Sequence, residues 1–126
     1  MNVVDSSGWL EYFADAPNAS LFASPINNVS ELIVPSISIY EVFKRVYQQR
    51  GEDAALSAVA TMMQGLTVDL DPSMALNAAK ISIDLKLPMA DSIILATAQA
   101  HEALLWTLDS DFKNVPGVRY IERKTE

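Results

Sequence analysis

Asp5, Glu41, Asp91 and Asp109 each stand at the border of a strongly apolar stretch, where an isolated carboxylate is expensive to bury. Asp5 follows Val3-Val4, Glu41 opens a helical pattern behind Leu32-Ile33-Val34-Pro35, Asp91 begins an alanine- and aliphatic-rich run, and Asp109 follows Leu104-Leu105-Trp106-Thr107. Carboxylates that converge repel one another and are driven toward their neutral forms unless a cation offsets them. Hard divalent ions such as Mg²⁺ and Mn²⁺ prefer carboxylate oxygen. With no cysteine and a single His101, the chain offers zinc no suitable donor set. The four acids therefore predict a divalent-metal site.

Each acid also has a purely structural reading. Asp5 can cap the helix that follows it, and Ser38 and Glu41 have the spacing of a capping box. Asp91 is a first-turn acid favoured by the helix dipole, and Asp109 and Asp111 can form Asx turns. Four such coincidences at apolar borders favour one shared site. Asp71 is already used as an N-cap before Pro72, and strand alternation turns Asp69 to the face of Thr67, so neither is assigned to it.

The elements that must position these acids follow from hydrophobic periodicity. Short apolar runs at Val3-Val4, Leu32–Pro35, Leu66–Leu70, Ala103–Thr107 and Val118–Ile121 read as strands. Between them lie helical patterns: a pair of short helices around Pro17, Ile39–Gln49, Asp53–Gln64 and Ser73–Leu85, then a helix that Pro88 opens at its first turn. Asp109–Phe112 reads as a turn or short helix, and Arg123–Glu126 as a charged tail. Strands alternating with helices predict a single α/β/α domain over residues 1–126 with a central parallel sheet. In such sheets ligands sit outside the carboxyl ends of the strands, which is where these acids fall.

Sixteen acidic residues against nine basic give a net charge of −7, a poor starting point for nucleic-acid binding without cations or a local basic patch. Half the residues are hydrophobic, so apolar surface is expected to be covered in a dimer or by a partner. No run is long enough to span a bilayer, and the first residues lack the pattern of a secretory leader. A cytoplasmic protein without disulfides is the expectation.

Asp5-Ser6-Ser7 behind a short strand, Tyr40-Glu41-Val42 opening a helix, Ala90–Ala98 around Asp91, and Thr107-Leu108-Asp109-Ser110-Asp111-Phe112 together resemble the PIN-domain nucleases, and most of all the VapC-type toxins of prokaryotic toxin–antitoxin pairs. The resemblance runs from about Met1 to Ile121. It implies a five-stranded parallel sheet, a homodimer, Mg²⁺- or Mn²⁺-dependent RNA cleavage, and inhibition by a cognate antitoxin whose C-terminal segment lies in the active-site groove. It puts Asp5, Glu41, Asp91 and Asp109 in the acidic positions, with Asp111 as a further metal ligand, and Ser6 and Thr107 in positions whose hydroxyls hold the site's hydrogen bonds. The acidic net charge departs from many relatives.

Under this reading Asp5 and Asp91 are the principal metal ligands, and Glu41 and Asp109 hold a second metal or orient the attacking water. Lys44 and Arg45 follow Glu41 by three and four positions, on its face of the helix, and are expected to bind substrate phosphate; the competing reading is a solvated surface pair. His101 lies about 15 Å along the helix from Asp91, which disfavours histidine catalysis. Two other readings compete: a catalytically silent PIN-like scaffold, which usually lacks one or more of the acids, and a receiver-like signalling domain. A receiver would need two adjacent acids after the first strand and a lysine after the last.

Overall fold

The structure, a computed structural model, describes residues 1–124; the last two residues of the predicted charged tail lie outside it. Five strands form one parallel sheet: β1 (Asn2–Val4), β2 (Leu32–Pro35), β3 (Leu66–Val68), β4 (Leu104–Thr107) and β5 (Val118–Tyr120), in the order β3-β2-β1-β4-β5. β1 is the centre of the sheet, with Val3 opposite Ile33 on one side and Leu105 on the other. The chain fills one half with β2 and β3, then crosses to add β4 and β5. The order reverses beside β1, at the kind of switch point where open α/β sheets bind ligands.

Alternation along the strands serves two cores. Val4, Leu32 and Val34 face α1 (Ser6–Phe13), α2 (Ala19–Asn27), α3 (Ser36–Arg50) and α4 (Glu52–Met62), packing with Trp9, Phe22, Val42, Val46 and Met62. Val3, Ile33 and Leu105 face the other way, against Ile94, Leu95 and Ala98 of α6 (Met89–Ala100). The helix α5 (Pro72–Leu85) packs outside α6 through Met74 and Ala78. Both faces of the sheet are covered, as near-continuous apolar strands require.

Three boundaries differ from the sequence expectation. α3 starts at Ser36 rather than Ile39, because Pro35 ends β2 and serves directly as N-cap; inside the helix Ser38 is buried, and a capping box with Glu41 does not form. Pro88 is the N-cap of α6 rather than its first residue. β3 stops at Val68, leaving Asp69 and Leu70 exposed. Asp71 caps α5 as its position suggests, accepting from the Met74 N–H at 2.8 Å. Gly51, at φ +89°, makes the turn between α3 and α4 in a region closed to most side chains.

Candidate functional site

Asp5 leaves the end of β1 with its backbone still in the sheet, its N–H donating to the Trp106 carbonyl at 2.9 Å. It is the N-cap residue of α1, yet its carboxylate makes no capping bond. Two hydroxyls hold it instead. Thr107 Oγ1 donates to Oδ2 at 2.8 Å and Ser7 Oγ to the same oxygen at 2.9 Å. These hydroxyls also fix the loop behind β4, since Thr107 Oγ1 accepts from the Asp109 N–H and Ser7 Oγ from the Leu108 N–H. Asp5 is buried and tied to a strand it meets only across the sheet.

Asp91 arrives from the opposite side, in the first turn of α6. Ser92 to Ala98 are buried without interruption, so the helix is clamped and its N-terminus cannot drift. Ser92 Oγ donates to the Pro88 carbonyl at 2.8 Å, which also accepts from the Ser92 N–H at 3.0 Å. Asp109 caps the 3₁₀ turn Ser110–Phe112, accepting from the Asp111 N–H at 2.9 Å, while buried Phe112 anchors that turn in the core.

Carboxylate oxygens of Asp5, Asp91 and Asp109 all lie within 4.8 Å of one another. Burial pushes the Asp5 carboxyl above its ordinary range, and the Asp109 charge adds to the shift. Asp91 is pushed up to about 7, first by desolvation and then by the charges of Asp5 and Asp109. The hydroxyl donors favour ionised Asp5 but do not offset the burial. Three hard oxygen donors, of which Asp5 and Asp91 are pushed toward their neutral forms by burial and neighbouring charge, fit a divalent cation, the species that would remove both penalties.

Glu41 stands beside this triad rather than in it. Its Oε1 accepts from Ser6 Oγ at 2.6 Å, and it is near enough for its charge to raise Asp91 further. Asp111, expected as a further ligand, is exposed and outside the triad, joined to it only through its backbone bond to Asp109. Lys44 and Arg45 line an open cavity together with Ser6 and Glu41, and Lys44 lies 5.7 Å from the Tyr40 ring centroid. The structure thus gathers Asp5, Asp91, Asp109, Thr107, Ser6 and Glu41 at one edge of the sheet, with Lys44 and Arg45 leading away from it.

Two features escaped sequence reasoning. Ser7 is as much a partner of Asp5 as Thr107 is; a serine two residues behind an acid at a strand end was the available signal. Glu11 is buried on α1, accepting from both the backbone N–H and Nδ2 of Asn18 and from Arg123 at 3.3 Å. Nothing in the local pattern marks a buried acid between Leu10 and Tyr12.

A family model described as PIN domain matches residues 3–118. No curated protein matches the sequence. Among solved structures, a toxin–antitoxin complex from Klebsiella pneumoniae aligns with a TM-score of 0.81 at 22% identity, covering 94% of this chain and 96% of that one. A sarcin–ricin-loop-cleaving VapC toxin of Mycobacterium tuberculosis aligns at 0.77 with 13% identity, covering 98% of both chains. A DNA-bound VapBC from Salmonella typhimurium aligns at 0.73 with 17% identity, covering 96% of this chain and 98% of that one. At these identities the likeness is one of fold.

Proposed function

The chain belongs to the PIN-domain family, and from that premise we propose that it is a metal-dependent ribonuclease, the VapC-like toxin of a type II toxin–antitoxin pair. The observation that carries this reading is the convergence of Asp5, Asp91 and Asp109 oxygens within 4.8 Å. In a silent scaffold this cluster would be a burden without a use, because two of its members resist ionisation where they stand.

Asp5, Asp91 and Asp109 hold Mg²⁺ or Mn²⁺, with Asp111 at the rim as the remaining acid able to complete the donor set. When bound, the ion supplies Lewis acidity, lowering the pKa of a water and offsetting charge on the phosphoryl oxygens. The chain's own residues do the rest. Ser7 and Thr107 fix the Asp5 carboxylate through Oδ2 and leave its other oxygen free of side-chain donors. Glu41, oriented by Ser6, holds the attacking water or accepts its proton. Lys44 and Arg45 bind a phosphate of the substrate and keep the RNA over the acids.

Relatives of this fold include toxin–antitoxin complexes, and the partner proposed here is a cognate antitoxin that covers the acidic site. A second copy is the other expected partner. α5 is apolar on both sides: Met74, Ala78 and Ile81 pack inward, while Leu76 and Ile83, one heptad apart on the opposite face, are 69% and 78% exposed. No helix among the described residues is long and apolar enough to cross a membrane, and the proposed site of action is the cytoplasm.

The decisive assay incubates purified protein with RNA and Mn²⁺. Cleavage is expected to stop with EDTA and to fall by at least about 100-fold in Asp5→Asn or Asp91→Asn. Cleavage by Asp91→Asn at the wild-type rate would refute the reading.

A further inference from the structure

Beside the acidic site, between α1 and α3, lies a second cavity of about 310 Å³ with a cationic lining: Arg45, Arg50 and Arg123 line it together with Ser7, and Glu11 is its only acid. The chain as a whole carries −7 with only nine basic residues. Three of those nine meet here. Glu11 is already satisfied by Asn18 and by Arg123, so its charge is spent within the wall. Among the described residues neither Arg45 nor Arg50 has a carboxylate within ion-pair distance. Arg50 makes one contact, to the Phe13 carbonyl at 3.5 Å, which leaves most of its five N–H donors unused.

The cavity adjoins the opening beside Glu41. Arg45 lines both this cavity and the opening that holds Ser6, Glu41 and Lys44, and Ser7 is bonded to Asp5. A chain of phosphates whose cleaved bond lies over the acids would therefore meet Lys44 and Arg45 first and Arg50 next. Guanidinium forks suit phosphate oxygens, which they can bind in bidentate fashion. Phe13 is the only aromatic residue in its lining, so the cavity reads backbone charge rather than base identity.

We propose that this cavity is a second anion subsite, built by Arg50 and Arg45 and buttressed by the Arg123–Glu11 pair, which binds a backbone phosphate of the RNA beyond the cleaved bond. That the ligand is RNA rests on the ribonuclease reading; that the cavity binds a polyanion does not.

The test is a fluorescence-anisotropy titration of a labelled single-stranded RNA against the protein in EDTA, repeated over a series of KCl concentrations. Arg50→Gln is expected to weaken binding about tenfold at low salt and to flatten the salt slope by about one phosphate contact. Arg50→Lys should restore much of the slope. Lys80→Gln, on exposed α5, should change neither. With Mn²⁺, Arg50→Gln should raise KM for a long RNA and leave cleavage of a dinucleotide unchanged, since a dinucleotide carries no phosphate beyond the cleaved bond. Wild-type affinity and slope in Arg50→Gln would overturn the proposal. So would loss of affinity for a polyglutamate peptide with RNA binding intact, which would assign the cavity to an acidic protein segment. If the wild type cuts no RNA, the ribonuclease reading fails while the salt titration still decides the subsite.

Discussion

Asp91 sits half-buried beside two other carboxylates with its carboxyl pushed up to about 7, whereas an aspartate in an unfolded chain titrates near 4. Between those values the folded protein binds the additional proton, so stability of the metal-free protein falls as pH rises through this window and levels off above it. Asp5 is shifted in the same direction. In EDTA the melting temperature is therefore expected to rise as pH is lowered from about 8 to about 5, and Mn²⁺ to stabilise more at the upper end, where it does not compete with protons. Asp91→Asn should melt higher than wild type at pH 8 in EDTA and lose the part of the pH dependence that Asp91 contributes, leaving that of Asp5. A flat pH profile in the wild type would contradict the placement of these acids. Asp5 and Asp91 could be read from the sequence because an acid beside an apolar run is conspicuous. Choosing between Asp109 and Asp111 could not, since both suit an Asx turn and only the 3₁₀ geometry turns one toward Asp5.

At the level of elements, the packing of α1 on β1 determines how closely Asp5 and Ser7 are held. Gly8 faces the sheet, where an added Cβ would stand 2.6 Å from the Phe22 ring and 2.7 Å from Val4 Cγ1. Helix propensity alone favours alanine over glycine by about 1 kcal/mol, but the overlap with a fully buried ring is the larger effect. Gly8→Ala is expected to destabilise by about 1–3 kcal/mol, measured by urea unfolding; a stabilised variant would show that α1 can lift away from the sheet. Strand and helix types were legible from periodicity because buried parallel strands are unbroken apolar runs. The start of α3 was not, since Ser36-Ile37-Ser38 looks like a linker until Ile37 is seen packed against the α6 side of the core. The Glu11–Asn18 cluster depends on a loop closing over α1, which no local pattern encodes.

At the scale of the whole molecule, the row of Leu76 and Ile83, with Met89 exposed on the neighbouring helix, is the surface expected between two copies. Leu76→Lys with Ile83→Lys should convert a dimer to a monomer in light scattering while the melting curve stays cooperative; an unchanged mass would move the interface elsewhere. The place of β1 in the sheet has a further consequence, for when the acidic site can form. The strand that leads into Asp5 pairs with β4, about a hundred positions further along the chain: Thr107 bonds Asp5 across 102 residues and Trp106 bonds Asn2 across 104. Contacts of such separation form late. Until β4 has joined the sheet, Asp5 lacks the Thr107 hydroxyl that fixes it, so the acidic site is assembled only late in folding.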